Sequence, residues 1–203
     1  MKQSSFENLA IQFYRKDLGV YAIVVDAKFI ERHPQDITHI EHTHDYIEMV
    51  IISAGAGIQS INGKTYPVKE GDVFIFHGDD RHYFKDYKNL KFLNIMFDPE
   101  RIKKYHHSFD IEKINEYKEL IYLPSLNSTG EFQRRLFFDK AGLSILENLF
   151  NDLIFEFKTL KLGSRLIIKN KLEEILVLLI RKNKDVSTII PKSPLLRISK
   201  AIE

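Results

Sequence analysis

The chain has 203 residues, with 30 Lys and Arg against 28 Asp and Glu, and a net charge of +2 leaves no broad basic footprint of the kind that nucleic-acid binding needs. Hydrophobic residues at 44% and charged residues at 29% exclude a disordered chain and leave one medium domain with a core, or a domain with a smaller helical piece. The absence of cysteine removes disulfides and thiolate metal sites and agrees with a cytoplasmic location, while no signal peptide and no apolar run near the roughly 20 residues of a membrane span is present.

From Val20 to about Phe97 the chain alternates short β-branched and aromatic runs with turn residues. VYAIVV, YIEMVII, GIQSI, KTYPV, DVFIFH and LKFLNIMF are the candidate strands of an antiparallel sheet. Asn62-Gly63 joins GIQSI to KTYPV as a two-residue hairpin, because both residues accept the positive φ that such a turn demands. Strands at this spacing predict a closed or double-sheet barrel, with hidden edges and an interior able to hold a small ligand.

After Asp98-Pro99 the period lengthens. Leu146, Leu149, Phe150, Leu153, Ile154, Phe157 and Leu160 fall at three- and four-residue steps, predicting a helix from about Leu143 to Leu162 that Gly163 ends. Ile168, Leu172, Ile175, Leu176 and Leu179 mark a second helix to about Arg181. Such stripes can pack inward or form a seam with a second copy, and Leu146, Leu149, Phe150, Leu153, Ile154 and Phe157 are the candidate dimerisation residues. The tail from about residue 191 turns apolar at Leu195, Leu196, Ile198 and Ile202, like the opening of a further helix.

Histidine carries the chemistry. His42, His44 and Glu48 share parity, so on a strand they would share a face, together with Tyr46. Gly55 follows Glu48, and a second segment runs from Gly71 to His82. A carboxylate inside the apolar run YIEMVII needs a donor, a histidine or a metal, because burying it alone is costly. Three imidazoles and one carboxylate suit a borderline divalent metal such as Zn, Ni, Fe or Mn. Phe74, Phe76, Phe92 and Met96 are candidates, with Tyr46 and Glu48, for the lining of a ligand site. His77 reads as a turn residue, and His33, His39, His106 and His107 as surface.

The order H-x-H, then Glu48, then Gly55, followed by Gly71 and His82, resembles the two motifs of the cupin superfamily. The second is looser: His77 and Asp79 stand where cupins usually have proline and glycine, and Asp86 where asparagine is frequent. Taken whole, the stretch HTHDYIEMVIISAGAGIQSINGKTYPVKEGDVFIFHGDDRHYF, with KFLNIMFDP, the helix LENLFNDLIFEFKTL and the closing RISKAIE, resembles the sensor portion of AraC-type bacterial transcription regulators. The resemblance implies an α+β fold: a cupin-like antiparallel barrel (jelly-roll) over residues 1–107, a helical linker and dimerisation unit over 108–190, and at 191–203 the start of a DNA-binding domain otherwise absent. It also implies a small-molecule effector, a sugar by analogy, a homodimer, DNA contact only through that missing domain, and no enzymatic activity. Two rivals share the barrel: a metal-dependent enzyme such as a dioxygenase or sugar isomerase, and a metal-free binding module whose histidines are polar lining.

Overall fold

The structure, a computed structural model, describes residues 18–26, 39–106 and 109–189. The tail expected to open a further domain lies outside the described residues, as do His33 and His107. Among the described residues, six strands form one antiparallel sheet: β1 (Val20–Asp26), β2 (Ile47–Ile61), β3 (Lys64–Lys69), β4 (Asp72–Phe76), β5 (His82–Phe97) and β6 (Arg135–Phe137). Their order is β1-β5-β2-β4-β6, with β3 paired to β2. Between β5 and β6 come α1 (Pro99–His106), a short 3₁₀ turn and α2 (Asn115–Tyr122), and after β6 the long helices α3 (Lys140–Thr159) and α4 (Ser164–Ile189).

YIEMVII and GIQSI, expected as two strands, are one. β2 pairs with β4 over Glu48 to Ile51 and with β3 over Ala56 to Ile61, and its register against β5 slips three times on the way. Bulges of this kind bend a strand and raise its twist, and here they curl the sheet into a cupin-like barrel. Gly55 sits at the bend with φ of 79°, and a Cβ there would lie 2.3 Å from the carbonyl oxygen of Asn89 on β5. The Asn62-Gly63 hairpin forms as expected, both residues at positive φ.

Side-chain parity divides the sheet. Odd-numbered residues, Ile47, Met49, Ile51, Val73, Ile75, Leu93, Ile95 and Phe97, form one face, which packs in a single cluster with Leu146, Phe150, Leu153, Leu172, Ile175 and Leu176 of α3 and α4. Even-numbered Val50, Ile52, Phe74, Phe76 and Phe92 form the interior, closed from the far half of the barrel by Ile61, Val68, Phe84 and Leu90.

Leu146, Leu149, Phe150, Leu153 and Phe157 are buried in the chain's own core and Ile154 packs against it, so the stripe named as a dimer seam faces the sheet. Across the boundary expected at 107/108, β6 pairs with β4 and both long helices share the sheet's cluster. The helix also ends earlier than Gly163. Leu160 takes the left-handed φ of 44° as C-cap, and its N–H reaches the Glu156 carbonyl. Gly163 instead opens α4, where its carbonyl accepts from the N–H groups of Leu166 and Ile167. α3 starts at Asp139, whose carboxylate accepts from the Gly142 N–H at 2.9 Å. Among the described residues, no helix is long and apolar enough to cross a membrane.

Candidate metal centre

His42 and His44 precede β2 rather than lying on it, so strand alternation is not what aligns them with Glu48. His42 instead forms an isolated antiparallel bridge with His82, the first residue of β5, and their backbones exchange hydrogen bonds of 3.2 and 3.1 Å. This bridge brings the two rings to 4.4 Å between centroids. A bend at Asp45 and Tyr46 then turns His44 back over the strand. Glu48 projects into the interior from β2, opposite Phe76 of β4 and Met96 of β5. All four expected residues therefore converge.

The contacts are close. Glu48 Oε2 lies 3.0 Å from His44 Nε2 and 3.2 Å from His82 Nε2, and the two nitrogens are 3.1 Å apart. His42, Glu48 and His82 each place a ligand atom within 4.8 Å of the others'. His44, Glu48 and His82 are almost wholly buried, and His42 is half-buried.

Tautomers follow from the backbone. The nitrogen Nδ1 of His44 faces the Tyr46 carbonyl at 2.8 Å, and Nδ1 of His42 faces the Ile40 carbonyl at 2.7 Å. A carbonyl only accepts, so both Nδ1 atoms carry hydrogen, and a neutral ring then presents the Nε2 lone pair to the cluster. For His44 that lone pair would meet a carboxylate oxygen. A proton shared between the two groups, or a metal cation, resolves the contact. Metal bonds of about 2.0–2.1 Å at ordinary angles separate neighbouring ligand atoms by roughly 3.0–3.4 Å, the spacing seen here. Backbone carbonyls that orient ligating imidazoles are the usual second layer of such sites.

Electrostatics agree. Burial opposes ionisation of Glu48, but the His44 hydrogen bond and the fields of His82, His44 and His42 outweigh it, holding the carboxyl well below the usual range. Burial pushes the His82 imidazole well below its ordinary value, against the opposing pull of Glu48.

Tyr46 stacks on His44 at 4.2 Å and clusters with Tyr21 and Met96, while Phe74, Phe76 and Phe92 share the interior cluster. His77 stays in its turn, against Tyr122, and outside the cluster. Sequence reasoning missed three residues. Asn94 donates from Nδ2 to Glu48 Oε1 at 2.6 Å, fixing the carboxylate's second oxygen, and its own Oδ1 is buried without a partner. Gln59 is 1% exposed, and its Oε1 is likewise unpartnered. Phe132 enters the interior from outside the barrel strands. A polar residue at an even position of the apolar strand LKFLNIMF was a readable sign for Asn94; nothing local marked Phe132.

Residues 25–175 match the family model of the AraC-like ligand binding domain. Over 73 residues the chain is 41% identical to the HTH-type transcriptional activator RhaR of Escherichia coli (strain K12), a match covering 36% of this chain and 26% of that protein. The chain thus spans about a quarter of the length of the curated relatives it matches. Among solved structures, the AraC-like transcriptional activator CuxR aligns over 81% of this chain and 48% of its own, at 7% identity and a TM-score of 0.43. A Cupin 2 conserved barrel domain protein from Salinispora arenicola CNS-205 aligns over 46% of this chain and 87% of its own, at 16% identity and a TM-score of 0.30.

Proposed function

The chain belongs to the AraC-like ligand binding domain family, and from that premise we propose that it is the effector-sensing part of a cytoplasmic transcription regulator, with DNA read by a domain outside these 203 residues. The observation that carries the reading is the cluster of His42, His44, Glu48 and His82 beside a largely apolar interior. A pocket with an apolar wall and a few convergent polar groups is the usual form of a small-molecule site. His42, His44, Glu48 and His82 would hold a divalent metal, zinc, nickel, iron or manganese, which when bound supplies a positive centre for an anionic or hydroxyl-bearing effector. The unpartnered acceptors Asn94 Oδ1 and Gln59 Oε1 support a ligand that donates hydrogen bonds, as a sugar does. Phe74, Phe76 and Phe92 supply its apolar wall.

The burial of the inward stripe in the chain's own core favours other side chains for the homodimer that the resemblance implies. Ile145, Phe155, Leu166 and Ile167 are exposed apolar groups on α3 and α4 that are available to it.

The test is a thermal-shift screen of the chain against sugars and related polyols, with and without zinc, repeated on Glu48→Gln and His44→Ala. A stabilising ligand whose effect disappears in both variants supports the site. Unchanged stabilisation in both excludes it, and a ligand that is chemically consumed revives the metal-dependent enzyme.

A further inference from the structure

The cluster is tied to one more part of the molecule, the segment between α2 and β6. Residues 123–134 fold back on themselves: Gln133 donates its N–H to the Ser125 carbonyl at 2.7 Å, and Leu126 bridges Phe132. Phe132, 6% exposed, places its ring 5.6 Å from Phe76 and 6.4 Å from both Phe74 and Tyr66. The Phe76 ring also stacks on the His82 imidazole, at 3.8 Å and 7°. One ring therefore separates a member of the cluster from the segment.

A second tie is ionic. Asp80 lies on the turn between Phe76 and His82, and its Oδ2 accepts from Arg134 Nη1 at 3.0 Å, both residues being buried. Its other oxygen accepts from the hydroxyl of Ser125 and from Asn62 Nδ2, and Arg134 also donates to the Leu123 carbonyl. Directly after Arg134 the chain becomes β6 on the barrel wall, and Asp139 then caps α3.

We propose that this connecting segment reports the state of the sensor: a divalent cation held by His42, His44, Glu48 and His82 is coupled, through Phe76 to Phe132 and through Asp80 to Arg134, to the placement of α3. The inference rests on the reading of the cluster as a cation site. An ion that draws the His82 imidazole toward itself displaces the ring stacked on it. Close-packed interiors have little slack to absorb such a shift, and a buried ion pair is costly to pull apart, so the segment moves as a unit or not at all. The binding linkage runs both ways. If the cation biases the segment, a change in the segment must alter cation affinity by the same factor.

The chain contains no tryptophan, so Phe132→Trp creates a single fluorescent reporter inside the segment. Zinc is titrated into the 203-residue chain, with binding followed by equilibrium dialysis and tryptophan emission recorded in parallel. The expected result is an emission change that tracks bound zinc, is lost in Phe132→Trp combined with His82→Ala, and is matched by a change in zinc affinity of about 5-fold or more in Phe132→Leu. Phe132→Leu keeps most of the buried volume and stands in where Phe132→Ala does not fold. Zinc binding with a silent tryptophan and an unchanged affinity in Phe132→Leu overturns the coupling and leaves the cation site standing. Failure of the parent chain to bind zinc at all overturns the cation site, and the coupling with it.

Discussion

At the scale of single residues, the barrel's inner face is governed by what burial does to polar atoms. Glu48 sits among apolar neighbours because each of its oxygens has a partner, one on the histidines and one on Asn94. Tyr21, beside Tyr46 and Met96, shows the same physics without a charge: burial pushes its phenol up from 10.0 to about 12. In the folded chain it stays protonated while the unfolded chain ionises. Its stabilising contribution is therefore complete below pH 10.0 and is lost as pH rises toward about 12. Urea midpoints measured across that range should fall more steeply for the parent chain than for Tyr21→Phe; parallel curves would remove the idea.

At the scale of elements, the glycines of the two motifs have a structural origin. Gly71 has φ of 91° and a Cβ there would meet the Phe138 carbonyl at 2.2 Å, so it permits the approach of the chain leading into α3. Gly55 and Gly63 both have positive φ, but only Gly55 is also crowded, since nothing lies within 4 Å of a Cβ at Gly63. Gly63→Ala should cost about 1 kcal/mol of backbone strain, and Gly55→Ala at least about 3 kcal/mol, because the β5 backbone must also move. Chemical denaturation of the two variants measures the difference. Equal losses would show that the bend in β2 tolerates a side chain. The spacing from Glu48 to Gly55 was legible in the sequence, and so was the hairpin at Asn62-Gly63. The fusion of two expected strands into β2 was not, since a bulge is set by the partner strand. α1, α2 and β6 escaped for a simpler reason. They are short, and each depends on packing into the shared core rather than on a long period of its own.

At the scale of the whole molecule, sheet and helices share one core, which makes a prediction about cooperativity. Phe150 is fully buried between them, and Phe150→Ala should cost about 3–5 kcal/mol. Helix content by far-ultraviolet circular dichroism and tyrosine environment by near-ultraviolet signal should be lost together in one transition. Helices melting apart from the barrel would show two cores instead. The amino-acid sequence by itself determined the class of fold, the run of barrel strands, the two long helices and the identity of the histidine and carboxylate cluster. Those features are written in local periodicity, turn residues and the few residue types able to ligate a metal. It did not determine which face of α3 is spent: an apolar stripe reads the same whether it meets a sheet or a second copy, and only the odd-numbered face of the barrel decided between them. Nor could it align His42 with Glu48 for the right reason. That alignment comes from the bridge between His42 and His82, two residues forty positions apart. The contact from Phe76 to Phe132 and the pair of Asp80 with Arg134 are likewise long-range. No local pattern encodes such contacts, because the free energy that selects them comes from burying both partners at once, and that exists only after the chain has closed.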